Sequence, residues 1–279
     1  MRPIIIALLL ALGTVVPARA SFLDFLETKT DGVGGVDGLL KAQDAVVSPD
    51  GLNLYAVSEG GDAIVTFGRD PAIGTLVFQG LLRDGVGGVD GLTSAGAMAL
   101  SPGGANVYVA SSGDDAIAVF ARDAATGTLQ FVEQQKNGVN GVQGLDVPQD
   151  LVVSPDGRNV YVTDFSSDSV LSFARDAASG KLRFLGRVFN GVGDTSNVSD
   201  PRGIVISPDG RHLYVGGVAN DTLAIFARDA AVNGKGAHLT PPPPLSLPLT
   251  VQVQAENGTC WDAEFVAAKQ STRALRATK

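Results

Sequence analysis

Four in-register copies of a 53-residue motif, period-two apolar alternation inside each copy, and a composition rich in Gly (35 residues) and Val predict an all-β chain folded as a β-propeller. Columns of residues fix the copies. The turn Ser48-Pro49-Asp50-Gly51 returns as Ser101-Pro102-Gly103-Gly104, Ser154-Pro155-Asp156-Gly157 and Ser207-Pro208-Asp209-Gly210. All four tyrosines, Tyr55, Tyr108, Tyr161 and Tyr214, share one column. Other columns hold Asp62, Asp115, Asp168 and Asp221; Phe67, Phe120, Phe173 and Phe226; and the Arg-Asp pairs beginning at Arg69, Arg122, Arg175 and Arg228.

In chain order, residues 1–20 read as a secretory leader: Arg2 precedes an apolar run from Ile4 to Leu12, and Ala18-Arg19-Ala20 offers a small-x-small cleavage site. The β-propeller domain is expected over residues 21–235, starting with a strand at 22–30. Phe22-Leu23-Asp24-Phe25 carries the Leu and Phe columns of Thr75-Leu76-Val77-Phe78. Four repeats follow, at about 31–83, 84–136, 137–189 and 190–235. In the third, alternation bounded by turn residues predicts strand a at Asp150–Ser154, b at Asn159–Thr163, c at Ser169–Ala174 and d at Lys181–Gly186. Ser-Pro-Asp-Gly joins a to b, and a short segment after Arg175 joins c to d, which makes an antiparallel meander. The fourth repeat runs into Pro241–Pro244 before a strand d can form. The spare d strand at 22–30 therefore predicts a four-bladed ring closed by that N-terminal strand, since an open sheet edge invites aggregation. A monomer is expected; the rival is a partial ring completed by a second chain. Beyond it, residues 236–250 form a Pro-rich linker and 251–279 a tail with a β-hairpin from Val251 to Phe265, its turn at Glu256-Asn257-Gly258. In that tail Trp261 is the expected anchor and Cys260 a small buried residue.

The stretch Asp31–Leu39, DGVGGVDGL, recurs unchanged at Asp84–Leu92 and degraded at Asn137–Gly144 and Asn190–Gly193. As a dinucleotide loop it lacks the third Gly, where Asp37 stands, and as an EF-hand it lacks alternating ligands and the closing Glu. Its expected role is a crossover from strand d of one blade to strand a of the next, with Gly supplying positive φ.

Charge and composition narrow the function classes. Acidic residues outnumber basic ones 29 to 21, and the leader removes two of the arginines, which excludes an electrostatic grip on nucleic acid. One Cys allows no internal disulfide. No segment after the leader reaches the roughly 18 apolar residues of a membrane helix, so a secreted or periplasmic protein without a membrane span is expected.

Apolar residues, Ser-Pro-Asp-Gly, Tyr-Val, an Asp and then a Phe strand together resemble the YVTN and lactonase-like β-propeller repeats of bacterial exported proteins, with Tyr161-Val162-Thr163-Asp164 nearest the name-giving tetrapeptide. The resemblance covers about residues 22–230. It implies a propeller fold and, through relatives that include gluconolactonases and carboxymuconate lactonising enzymes, lactone chemistry. Lactonase-like propellers are seven-bladed, whereas this chain has four repeats.

Positions where the repeats disagree are the better site candidates, because most ligands lack the symmetry of a ring. At the start of strand a, one column reads Gln43, Gly96, Gln149, Arg202 and the next Asp44, Ala97, Asp150, Gly203. Gln43, Asp44, Gln149, Asp150 and Arg202 could hold a small polar ligand, the Arg pairing with a carboxylate and the amides fixing orientation; the alternative is a satisfied polar plug. The catalytic candidates are Arg202, Asp150 and Asp44, an Asp serving as base only where burial raises its pKa. No Ser/His/Asp or Cys/His set can be assembled: His212 fills a turn slot shared with Asn53, Asn106 and Asn159, and His238 lies in the linker. The b–c turns and d–a crossovers share one end of the ring, which should be acidic. A calcium ion on its axis would draw on Asp37, Asp90, Asp115 and Asp168, although the Asp62 column reads first as a turn-capping one; no other cofactor is expected. Two readings remain. One is a non-catalytic exported scaffold whose acidic face binds a small polar molecule, a glycan or an exported protein. The other is a lactone hydrolase or isomerase using the polar channel mouth.

Overall fold

The computed structural model describes residues 23–191, 198–219 and 221–230, together with the backbone of three strands between Leu249 and Thr278. Three antiparallel sheets follow chain order from inner to outer strand. The first is β1 (Ala42–Val47), β2 (Asn53–Ser58), β3 (Ala63–Arg69) and β4 (Leu76–Arg83). The second is β5 (Ala95–Leu100), β6 (Asn106–Ser111), β7 (Ala116–Arg122) and β8 (Leu129–Lys136), and the third β9 (Pro148–Val153), β10 (Asn159–Asp164), β11 (Ser169–Arg175) and β12 (Leu182–Phe189). A fourth sheet has three strands, β13 (Pro201–Ile206), β14 (His212–Gly217) and β15 (Thr222–Ala227). These are the blades, and β1, β5, β9 and β13 are the strands a of the sequence pattern.

Apolar alternation places side chains on both faces of each sheet, so the core lies between blades. Tyr55, Val57 and Ile64 of blade 1 pack with Val107, Ala118 and Phe120 of blade 2. Tyr108 and Ile117 of blade 2 meet Leu171 and Phe173 of blade 3, and Tyr161 and Val170 of blade 3 meet Leu213 and Phe226 of blade 4.

Polar stitches repeat at the same seams. Arg122 at the end of β7 reaches back one blade, its Nε donating to the Tyr55 hydroxyl at 2.7 Å and its Nη2 to Asp50 and Asn53, each at 2.7 Å. Arg175 takes Tyr108 and Asn106 in the same way, and Arg228 takes Tyr161, Asp156 and Asn159. Gly103 stands where the carboxylate would be at the middle seam, which therefore has no ion pair of this kind. Burial raises the Tyr108 phenol to about 12.

The repeated glycine stretch is the expected crossover. Asp31 caps its own loop by accepting from the Leu39 amide at 2.8 Å, Asp84 does the same for Leu92 at 3.0 Å, and Val89 and Leu92 are buried beneath it. Gly91 has φ +90°, and a β-carbon there would meet Gln134 at 3.0 Å, so its lack of a side chain is required twice over.

Two features of the expected ring are corrected. The inner strands pack in the series β1, β5, β9, β13, but that packing does not continue from β13 to β1. The blades form an open arc, because each seam is built between sequence neighbours and nothing in the repeat turns blade 4 onto blade 1. Residues 23–30, the expected closing strand, join no ladder and do not complete the fourth sheet. They lie along blade 1 instead, where the Glu27 carboxylate accepts from the Leu76 amide at 2.6 Å. Farther on, β16 (Leu249–Gln254), β17 (Cys260–Phe265) and β18 (Arg276–Thr278) form a three-stranded sheet in which Val253 pairs with Trp261. Two of these strands coincide with the expected hairpin; the third was not foreseen. The leader at 1–20, the Pro-rich run, the turn at 256–258 and the side chains of Cys260 and Trp261 fall outside the described residues. Among the described residues no helix is long and apolar enough to cross a membrane.

Candidate functional site

Strand a of each blade presents its first residues at the inner side of the arc, and this is where the two variable columns fall. The carboxylates among them are occupied. Asp44 accepts from the Ala45 amide and, across the seam, from the Met98 amide of blade 2, both at 2.8 Å. Asp150 repeats this at the next-but-one seam, accepting from Leu151 at 2.8 Å and from Ile204 of blade 4 at 2.9 Å. The alternation Asp-Ala-Asp-Gly is thus a stitch placed at every second seam. Burial pushes the Asp150 carboxyl up, and its two amide partners pull it back.

The cationic and amide members behave differently. Arg202 donates to Gln149 Oε1 at 3.3 Å, and its guanidinium carbon lies 4.6 Å from the centre of the Phe165 ring. Its Nε is 3.4 Å from Asp200 Oδ1, an oxygen that is buried and accepts no hydrogen bond. With the Arg202 side chain 51% exposed, the guanidinium keeps donors open toward solvent on a wall made of one ring, one amide and one carboxylate. Gln43 belongs elsewhere: on blade 1 it donates to Glu59 at 2.8 Å, beside Lys41. The structure therefore brings Gln149 and Arg202 together, ties Asp44 and Asp150 into the backbone, and leaves Gln43 in a separate exposed cluster.

Sequence reasoning missed Phe165 and Asp200. Phe165 shares a column with Glu59, Ser112 and Val218, so the rule of disagreement between repeats reaches it once the b–c turn is included. Asp200 shares a column with Lys41, Ser94 and Val147, so the same rule reaches it once the residues just before strand a are included.

At the acidic end the four candidate metal ligands do not converge. Asp37 pairs with Arg83 at 3.2 Å beside an open cavity of about 340 Å³ that also borders Asp31, Leu40 and Gly60. Asp168 accepts from the Asp200 amide at 2.7 Å, a turn-capping bond across the seam. Asp115 has a left-handed backbone, φ 52°, and burial raises its carboxyl, with Asp146 adding to the shift. Asp90 alone joins a cluster, in which one oxygen each of Asp84, Asp90 and Asp114 lies within 4.8 Å of the others. All three carboxylates already have partners, in Leu92, Thr93, Gln134 and Lys136.

Comparison with known proteins bears on this site. Residues 83–195 match the family model described as Lactonase, 7-bladed beta-propeller. A 6-phosphogluconolactonase of Sodalis glossinidius is 28% identical over 144 residues, which cover 51% of this chain and 41% of the relative. The periplasmic gluconolactonase PpgL of Pseudomonas aeruginosa superposes with a TM-score of 0.56 at 26% identity, over 70% of this chain and 55% of that one. A Lactobacillus plantarum protein gives a TM-score of 0.59 at 20% identity, over 72% and 54%. The chain spans about half the length of the proteins it matches. The fold is all-β and propeller-like, built from antiparallel blades, three of them four-stranded, and is similar to that of these lactonases.

Proposed function

We propose that this protein hydrolyses a small polar lactone, opening the ring to a hydroxy acid, at the inner face of blades 3 and 4. The observation that carries the reading is the Arg202 guanidinium, held between Gln149, Phe165 and Asp200 in a chain similar to gluconolactonases. Hydrolysis adds water to the lactone carbonyl carbon, moves negative charge onto the carbonyl oxygen, and then breaks the ring C–O bond. Open donors of Arg202 would face that oxygen and later the product carboxylate. Gln149 and Asp200, whose Oδ1 lies 3.4 Å from Nε, hold the guanidinium in place, and the proton of the attacking water passes to the departing ring oxygen. Phe165 offers an apolar surface to the carbon skeleton. In this reading Asp44 and Asp150 keep the inner strands in register rather than act on substrate. Export by the leader at residues 1–20 would put the activity in the periplasm or outside the cell.

The test is turnover of a panel of sugar and aromatic lactones by the mature protein. Arg202→Ala is expected to lower kcat/KM by about 10- to 100-fold, the equivalent of one lost charge-assisted contact. Asp200→Asn, which loosens the guanidinium without removing it, should lower kcat/KM in the same direction by a smaller factor. A panel on which the wild type is no faster than Arg202→Ala would remove the hydrolase reading and return attention to a binding role.

A further inference from the structure

The two ends of the arc carry the two halves of the stitch that joins every pair of blades. On the leading face of blade 1, Arg69 occupies the column of Arg122, Arg175 and Arg228. Among the described residues no blade precedes it, and its guanidinium donates to the carbonyl of Gly51 within its own blade, at 3.0 Å. On the trailing face of blade 4 stand Asp209, His212 and Tyr214, in the columns of Asp50, Asn53 and Tyr55. Tyr55, Tyr108 and Tyr161 are buried to 1% exposure or less, whereas Tyr214 is only half-buried, with no partner for its hydroxyl among the described residues.

The apolar columns are cut in the same way. Ile64, Ile117 and Val170 are fully buried by a following blade, and their fourth member, Leu223, is 66% exposed. On blade 1 the cut is closed from within: Val65 and Phe67, column mates of Ala118, Phe120, Leu171 and Phe173, are 0% and 1% exposed, packed with Val36 and with Leu76, Phe78 and Leu81 of their own blade instead of a preceding one.

The strands are complementary too. Glu27 accepts from the Leu76 amide as Glu133, two repeat lengths on, accepts from the Leu182 amide at 2.8 Å. Since Glu133 sits on β8, the outer strand of blade 2, residues 23–30 lie where the outer strand of a blade preceding blade 1 belongs. The fourth sheet, in its described residues, has the inner three strands and not the outer one.

We infer that two copies of this chain join head to tail into one eight-bladed ring, each copy's residues 23–30 supplying the outer strand of the other's fourth blade. Arg69 of one copy then takes Asp209 and Tyr214 of the other, at two identical junctions related by a two-fold axis. A ring of eight turns about 45° per blade and a ring of seven about 51°, so a four-blade arc of lactonase-like curvature needs only a small adjustment, and eight blades lie within the range of known propellers.

The experiment is the solution mass of the mature chain by light scattering, for the wild type, Arg69→Asp, Asp209→Arg and an equimolar mixture of the two variants, with circular dichroism to confirm folding. The wild type should be a dimer and each variant alone a folded monomer, because each places like charges at both junctions. The mixture should return to a dimer: one copy then carries Asp at 69 and 209, the other Arg at both, and every junction regains a pair. A monomeric wild type, in which the rest of its own chain covers blade 4, would overturn the inference. So would a closed assembly of any other size, variants that stay dimeric, or a mixture that stays monomeric.

Discussion

Asp62 shows how one residue serves the backbone and the seam together. Its φ of 47° is left-handed, as are those of Asp115, Asp168 and Asp221, and its carboxylate accepts from the Ser94 amide at the entry to blade 2. Asn keeps both properties, Gly keeps only the backbone, and Ala keeps neither. Asp62→Asn should therefore unfold within about 0.5 kcal/mol of the wild type in urea, and Asp62→Ala should lose about 2–3 kcal/mol, from about 1–2 for the left-handed conformation and about 1 for the lost bond. Asp62→Gly should fall between them. The capping role was legible in the sequence, since the column is invariant across blades and follows a tight turn. Its donor partner was not, because Ser94 lies in the next repeat, where no local rule points. The same gap explains Asp44 and Asp150: a carboxylate at a channel mouth reads as a ligand until the amide of a neighbouring blade is seen to take it.

At the level of strands, alternation gave the inner three strands of the third blade to within two residues, as at Asn159–Asp164 against an expected Asn159–Thr163, while the outer strand, expected to end at Gly186, runs on to Phe189. What alternation does not encode is how one sheet grips the next. The Arg-Asp column announced itself, yet its purpose depends on tyrosines 67 residues upstream. Two seams pair this arginine with a carboxylate and the middle one, at Gly103, does not. Removing Arg122 leaves the Tyr55 hydroxyl and Asn53 without a donor where the arginine side chain is 1% exposed, while Asp50, 33% exposed, is rehydrated, so Arg122→Ala should cost about 2–4 kcal/mol. Arg175→Ala breaks only neutral acceptors and should cost less, about 1–3 kcal/mol. Thermal unfolding of the two variants side by side checks the order.

For the molecule as a whole, the repeat determined the blade and left the number of blades in the ring open. Each copy specifies contacts with its neighbours, and such contacts are satisfied in an arc as well as in a circle; closure is decided by surfaces that only the first and last blades expose. The outer seams also give the arc a response to acid. Bonds from the Ser48 hydroxyl, the Leu52 amide and Arg122 hold Asp50 down at about 2, below its ordinary 3.8. At the other seam, burial pushes Asp156 up, but the Ser154 hydroxyl and Arg228 override it and the net shift is downward. A carboxyl lowered by folding stabilises fully above its unfolded pKa and loses that contribution as pH falls through the folded one. Denaturant midpoints should thus drop between about pH 4 and pH 2, with Asp50→Asn flattening the drop; Asp115, Asp150 and Asp164, which burial raises, work in the opposite sense. The stitches have a further consequence, in time. They reach 54 to 72 residues along the chain, so each blade can be fastened as soon as its successor has been made. Residues 23–30 are the exception: they precede all four blades, Glu27 is engaged only once Leu76 has been made, and Leu23 and Phe25 stay 88% and 82% exposed. Until something takes up that strand, the earliest part of the chain to appear is the last to be sheltered, and the interval is when a chaperone would have most to protect.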